Sequence, residues 1–241
     1  MTITKQNMRH KHYITLLLLS TIFFACGHEV KDDNNTTDKY RWGKKPVICV
    51  INIDGTGSYN YLEKAKNTAL NIINTLPSQS RIYIRWISEN SILDKNNIIS
   101  AILPGVKTSS SNPYISQKTK DNIDKQKELN NKLKQETIES LISAKSPKAN
   151  KTDIYGCLAA ASERFKNHSD KKAFLILMSD MKDNVGRKFN NYMLNGVEVL
   201  ILDFQSDDNS FEAKEKWTEE LLEKGASNVS FAEIDEQIFF K

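Results

Sequence analysis

The residues Asp54-Gly55-Thr56-Gly57-Ser58, at the end of a run of apolar residues, form the stretch of this sequence best suited to chemistry. One carboxylate and two hydroxyls alternate with glycines, so a curled loop can aim three oxygen atoms in one direction. Such a loop serves as a tight turn, a helix cap, a phosphate-binding loop, a phosphoryl-accepting aspartate or part of a metal site. A P-loop is excluded because its Gly-x-x-x-x-Gly-Lys-Ser/Thr signature is missing from the sequence.

The neighbouring segments predict how this stretch is positioned. Residues 46–54 are continuously apolar, which is typical of a strand covered on both faces of a sheet, and residues 59–76 repeat apolar positions at helical spacing up to Pro77. Further strands are predicted at 81–88, 172–180, 196–204 and 228–235, further helices at 117–145, from near Asp153, and at 210–224, and a short helix or strand near 96–103. This alternation predicts a doubly wound α/β fold, with a mostly parallel sheet and helices on both faces.

Two more oxygen donors are predicted to lie at the same edge of the sheet as Asp54. Asp180 ends the second fully apolar strand, and Thr152 comes just before the helix near Asp153. Ligands of such sheets bind beyond the carboxyl ends of the strands, and hydroxyl and carboxylate oxygens suit a hard cation such as Mg²⁺, or Mn²⁺ or Ca²⁺. Each residue also has an ordinary alternative role, since Ser58, Thr152 or Asp153 can cap a helix and Asp180 can simply end a strand.

Asp54, Thr56, Ser58, Thr152 and Asp180 together resemble the metal-ion-dependent adhesion site of the von Willebrand factor type A (vWA) domain. The first three match the Asp-x-Ser/Thr-x-Ser element, Thr152 matches the middle-loop threonine, and Asp180 matches the aspartate after the fourth strand. The resemblance implies that the three hydroxyls bind the ion directly and that the two aspartates bind it mostly through water. It also implies that an acidic side chain of a partner protein completes the site.

The resemblance covers residues 46–235, with three departures from the family pattern. Thr56 replaces the commoner serine, Met181 and Lys182 follow Asp180 where a glycine is usual, and a helical insertion over 117–145 lengthens the separation between Asp54 and Thr152. Asp183 and Asp203 are expected at the rim of the site.

A class of phosphatases shares part of the sequence pattern around Asp54. Residues 52–56 resemble the Asp-x-Asp-Gly-Thr motif of haloacid-dehalogenase-like phosphatases, but the position of the nucleophilic aspartate is Asn52, whose amide cannot form a phosphoaspartate. The sequence therefore favours a non-catalytic protein-binding module over a phosphohydrolase using Asp54. A structural vWA-like domain without metal is the third interpretation.

The first 45 residues predict targeting to a bacterial cell envelope. Residues 1–25 combine a basic start with a short apolar run, as in a secretory signal peptide. Cys26 follows Ala25 as in lipoprotein signals, so we expect a lipid anchor on Cys26, a flexible linker over 26–45 and a domain over 46–241. An ordinary signal with an incidental cysteine is the alternative. Residues 31–33 are similar to the export tags of Bacteroidota lipoproteins, and the outer membrane is the expected location.

Charge gives no indication of nucleic acid binding. Removing the signal peptide from a chain with 34 Lys+Arg and 30 Asp+Glu leaves 31 basic residues against 30 acidic ones. The lysines of the 117–145 helix are interleaved with acids and lack aromatic neighbours, which indicates a solvated helix face. Cys49 and Cys157 are expected as separate buried thiols. The predicted inward positions are Ile123, Leu129, Leu133, Ile138, Leu141 and Ile142 of this helix and Phe211, Trp217, Leu221 and Leu222 of the last.

Overall fold

A computed structural model describes residues 45–105, 116–166, 171–186, 189, 191–204 and 210–234. The predicted signal peptide, the lipidation site Cys26 and the linker up to residue 44 lie outside the described residues. The strands are β1 Val47–Asp54, β2 Arg81–Ile87, β3 Asn97–Ile102, β4 Lys172–Met178, β5 Val197–Leu202 and β6 Asn228–Ala232. The helices are α1 Leu62–Thr75, α2 Gln117–Ser143, α3 Ile154–Phe165 and α4 Ser210–Glu223.

The six strands form one sheet in the order β3-β2-β1-β4-β5-β6. Strand β3 is antiparallel to β2, and the other neighbouring pairs are parallel. The sheet is wound outward in both directions from β1, so the predicted doubly wound α/β fold is confirmed. The carboxyl ends of β1, β2, β4 and β5 consequently meet at one edge, which is where loops can assemble a site.

Strand β1 lies at the centre of the sheet and is buried along its whole length. Its side chains alternate between two hydrophobic cores, because successive residues of a strand point to opposite faces. Cys49 packs in the core that contains α1 and Leu141 of α2, whereas Cys157 packs in the core that contains α3 and Trp217 of α4. Both cysteines are free and buried, as predicted.

Helices α1 and α2 are joined by reciprocal lysine contacts. Lys134 of α2 donates from Nζ to the carbonyls of Asn74 and Leu76 at the end of α1, at 3.1 Å each. Lys66 of α1 donates from Nζ to the carbonyl of Ala144, at the end of α2, at 2.8 Å. A cation at a helix C-terminus satisfies carbonyls that lack intrahelical partners and complements the helix dipole. Each helix therefore caps the other.

The predicted inward faces of two helices are partly wrong. In α2, Leu141 is fully buried, but Leu129 is 51% exposed, and polar Asn130 and Thr137 take buried positions. In α4, Trp217 is buried, but Phe211 is 76% exposed. Ile142 and Leu222 are exposed as well. Within the described part of the chain, no helix combines the length and apolar character needed to cross a bilayer.

Candidate metal centre

The loop after β1 gathers three of the predicted ligands. Asp54 Oδ1 accepts hydrogen bonds from the backbone nitrogen of Thr56, at 2.9 Å, and from its Oγ1, at 2.7 Å. Thr56 Oγ1 lies 3.3 Å from Ser58 Oγ. Asp54 Oδ2 accepts a hydrogen bond from Ser179 Oγ at 2.9 Å, which ties the loop to the end of β4. The alternating pattern therefore brings the carboxylate and both hydroxyls together, as the sequence predicts.

The two glycines of the loop have different surroundings. Gly55 lies against the loop after α2, where Ser146 Oγ donates to its carbonyl at 2.7 Å. A Cβ atom at Gly55 would come within 2.7 Å of Pro147, whereas a Cβ at Gly57 would meet nothing within 4 Å. The Gly57 nitrogen donates to the carbonyl of Ala149 at 3.0 Å. Close approach of the two loops thus requires glycine at residue 55.

Thr152 lies at the junction of two other loops. Its backbone nitrogen donates to Asn184 Oδ1 at 2.7 Å, and its carbonyl accepts from the Asn184 nitrogen at 3.1 Å. Thr152 is buried. This pairing joins the loop that precedes α3 to the loop that contains Asp180.

The N-termini of α1 and α3 show which of the candidate residues cap a helix. Asp153 is the N-cap of α3, because its Oδ1 accepts from the Gly156 nitrogen at 2.8 Å, and its Oδ2 accepts from the Ser91 nitrogen at 3.0 Å. Capping by Thr152 is therefore wrong. Ser58 is not a cap either, since α1 begins at Leu62 after Tyr61. Neither residue is therefore the N-cap of the helix that follows it.

A group of acidic residues surrounds Asp54. Asp54 is only 2% exposed, and burial raises its pKa, while hydrogen bonds from Thr56 and Ser179 lower it and the charge of Asp180 raises it. Burial likewise raises the pKa of Tyr59, and so do the charges of Asp203, Asp54 and Asp180. Three carboxylates therefore lie within electrostatic reach of Tyr59.

The sequence predicts Asp203 at the rim of the site, whereas it does not predict Tyr59 there. Asp203 comes directly after β5, and its position after a buried strand is the signal that links it to Asp54 and Asp180. Tyr59 has no such signal, because a tyrosine near a helix start is most simply a packing residue. Asp183, also expected at the rim, has a structural role. Its Oδ2 accepts a hydrogen bond from the Ile154 nitrogen at 2.9 Å, and its Oδ1 accepts one from the Gly186 nitrogen at 3.1 Å.

The donor set fits a small hard cation. Neighbouring ligands of an octahedral Mg²⁺ ion lie about 3 Å apart, given metal–oxygen distances near 2.1 Å. The 3.3 Å between Thr56 Oγ1 and Ser58 Oγ is close to that spacing. A cation at this position would offset the repulsion between Asp54 and Asp180. In the described residues, no group of three or more His, Cys, Asp or Glu side chains is arranged to hold a metal, so this donor set depends on hydroxyls.

The residue at the position of a phosphatase nucleophile is inaccessible. Asn52 lies inside β1, in register with Arg85 of β2 and Leu177 of β4, and its side chain is completely buried. Its amide nitrogen and oxygen make no hydrogen bond to the described protein. Asn52 therefore belongs to the interior of the sheet rather than to its loop edge.

No protein-family model matches the sequence, and a search of curated proteins gives no significant match. One solved structure that aligns with this chain is the proximal thread matrix protein 1 of mussel byssus, with a zinc-occupied metal-ion-dependent adhesion site (MIDAS) motif. It aligns with 80% of this chain at 12% identity and a TM-score of 0.44. The chain spans less than half of that protein, 45% of its length.

Two bacterial structures have a similar level of likeness. A von Willebrand factor type A protein from Catenulispora acidiphila aligns with 79% of this chain and 39% of its own length, at 12% identity and a TM-score of 0.43. An aerotolerance-related membrane protein from Bacteroides fragilis aligns with 79% of this chain and 93% of its own, at 12% identity and a TM-score of 0.41. At these identities and TM-scores, the likenesses carry no information about ligands or partners.

Proposed function

We propose that this chain is a non-catalytic protein-binding module of the bacterial cell envelope whose binding depends on a divalent cation. The observation that carries the proposal is the convergence of the Asp54 carboxylate with the Thr56 and Ser58 hydroxyls at the carboxyl edge of the sheet. Hydroxyls that only capped a helix would bond to its first turn, and these do not.

Each residue of the site has a distinct role in the proposal. Thr56, Ser58 and Thr152 hold Mg²⁺, or Mn²⁺ or Ca²⁺, through their hydroxyls, while Asp54 and Asp180 act mostly through water. The ion supplies an open coordination position for a carboxylate of a partner protein. Asp54 orients the Thr56 hydroxyl through their hydrogen bond, and Ser179 holds Asp54 in turn. Such supporting contacts fix the ligands of metal sites.

The proposal places the chain on a membrane through a lipid on Cys26. Lipidation at this cysteine tethers a domain without any membrane-spanning helix. Metabolic labelling with a palmitate analogue tests this part. We expect the label in the wild-type chain and none in Cys26→Ser, and labelling of both chains would contradict the assignment.

Phosphohydrolysis is the alternative function, and the burial of Asn52 argues against it. A nucleophile must reach the substrate, and residue 52 is both the wrong chemical type and enclosed in the sheet. A metal-free structural domain is the other rival. It predicts that divalent ions leave the stability of the protein unchanged.

Thermal unfolding in Mg²⁺ or EDTA separates these functions. Ligand binding to the folded state stabilises it by about 2.7 kcal/mol when the ligand is at a hundred times its dissociation constant. We expect Mg²⁺ to raise the unfolding temperature of the wild type and of Gly57→Ala, but not of Asp54→Ala or Ser58→Ala. No chain should release phosphate from p-nitrophenyl phosphate. A wild type indifferent to Mg²⁺ and EDTA would contradict the proposal, and phosphate release lost in Asp54→Ala would favour the enzyme.

A further inference from the structure

The loop that leads into α3 carries an uninterrupted set of positive charges. Lys145, Lys148 and Lys151 occur within seven residues that contain no acidic residue. All three side chains are exposed, and none forms a salt bridge among the described residues. Lys182, in the loop after Asp180, is exposed as well. We call these four residues the lysine rim.

Backbone contacts place the lysine rim beside the candidate metal centre. Ala149, next to Lys148, accepts a hydrogen bond from the Gly57 nitrogen and pairs with Thr56 in a parallel bridge. Thr152, next to Lys151, makes two hydrogen bonds with Asn184, one through its backbone nitrogen and one through its carbonyl. Lys145, Lys148 and Lys151 therefore lie on the loop that is hydrogen-bonded to the loop after β1. Lys182 lies on the loop that is hydrogen-bonded to Thr152.

The loop between α2 and α3 is hydrogen-bonded internally and to the loop after β1. Lys148 has a left-handed backbone with φ +49°, and its nitrogen donates to Ser146 Oγ at 3.2 Å. Ser146 Oγ in turn donates to the Gly55 carbonyl. A non-glycine residue adopts this backbone region only where its surroundings stabilise it. These hydrogen bonds therefore tie the backbone that carries the lysines to the loop after β1.

The charges around the site are arranged in two zones. Asp54, Asp180 and Asp203 form an inner acidic zone around Tyr59. The lysine rim forms an outer basic zone. The other acids on these loops are engaged by backbone nitrogens, since Asp153 binds Gly156 and Ser91 while Asp183 binds Ile154 and Gly186. A ligand that matches both zones has one group for a cation and further negative charges spaced away from it.

We propose that the lysine rim binds an acidic segment of a partner protein. One carboxylate of the segment occupies the open position of the cation, and the neighbouring carboxylates contact Lys148 and Lys151. The inference rests on the proposed function of the site. Nucleic acid fits less well, because its continuous backbone charge would meet the inner acidic zone, and the loop that carries Lys145, Lys148 and Lys151 contains no aromatic residue for base stacking.

The test measures fluorescence anisotropy of a labelled hexa-aspartate peptide with the full chain in Mg²⁺. We expect saturable binding that weakens as NaCl is raised, because salt screens exposed charges. The double variant Lys148→Glu/Lys151→Glu should bind at least about tenfold more weakly, which corresponds to about 1.4 kcal/mol. The matched control is Lys120→Glu/Lys125→Glu, with the same charge change on exposed residues of α2, and it should bind as the wild type does.

The outcomes separate this inference from the function on which it rests. Mg²⁺ should still stabilise Lys148→Glu/Lys151→Glu against heat, because the predicted ligands are intact. Absence of peptide binding by a wild type that Mg²⁺ does stabilise would overturn the inference alone. Equal weakening in the rim and control variants would overturn it too, and so would tighter binding of a single-stranded DNA oligonucleotide or of anionic vesicles. Binding that is equal in Mg²⁺ and EDTA would contradict the part played by the cation.

Discussion

The loops around Asp54 and the helix α2 are both rich in polar residues, but they place them differently. In the loops, Asp54, Thr56 and Thr152 are buried and connect segments that are far apart in sequence. In α2, which has 27 residues, only Asn130, Thr137 and Leu141 are buried, and most polar side chains face solvent. Polar composition alone therefore does not identify a site.

The lysines illustrate the same difference. Lys134 of α2 is partly buried and bonded to the end of α1, so its task is packing two helices together. Lys148 is exposed beside the candidate metal centre and has no such acceptor among the described residues. Variants with a matched control in each region test this contrast.

The largest change in stability is expected at Leu141 of α2, with Leu129 of the same helix as its control. Leu141→Ala should destabilise the protein by about 2–5 kcal/mol, because it leaves a cavity where the side chain is fully buried. Leu129→Ala should change the stability by less than about 0.5 kcal/mol, since that residue is 51% exposed. Urea denaturation measures both. Equal losses would mean that the two halves of α2 do not differ in packing.

The two glycines of the loop after β1 should respond unequally. Gly55→Ala forces a methyl group into Pro147, which should cost about 1–3 kcal/mol of stability and weaken Mg²⁺ binding. Gly57→Ala has open space for the methyl group and should retain both the stability and the binding. Thermal unfolding with and without Mg²⁺ measures the pair. A neutral Gly55→Ala would show that the loop and Pro147 are not held in close contact.

A smaller effect is expected where α2 caps α1. Lys134→Met keeps the length of the side chain but removes two hydrogen bonds to helix-end carbonyls. The loss should be about 1 kcal/mol, because burial, which lowers the pKa of Lys134, offsets part of the gain from those bonds. Lys127→Met removes only an exposed contact to Asp124 and should be nearly neutral. Urea denaturation that finds both variants neutral would remove the capping role.

Most of the fold was predictable because its strands are long apolar runs. Residues 46–54 and 172–180 have one simple interpretation in an alternating α/β sequence, and the structure confirms strands there. The shared edge of parallel strands then makes it predictable that Asp54 and Asp180 lie close together. The helix 117–145 is confirmed within two residues.

The remaining features depend on contacts that no local pattern records. The buried face of α2 includes Asn130 and Thr137, so a rule that turns apolar residues inward selects Leu129 wrongly. Phe211 fails for the same reason, since helical spacing cannot tell which apolar residue the sheet covers. Tyr59 joins the acidic group only through the fold, as its neighbour Asp203 is distant in sequence.

The central claim is that the residues around Asp54 hold one divalent cation, and a count of bound Mn²⁺ by electron paramagnetic resonance tests it most directly. We expect one saturable site in the wild type and in Thr56→Ser, which keeps the hydroxyl, and none in Thr56→Val, which removes it at nearly the same volume. Circular dichroism should show that all three chains are folded. A wild type without a saturable site, or an unchanged site in Thr56→Val, would contradict the claim.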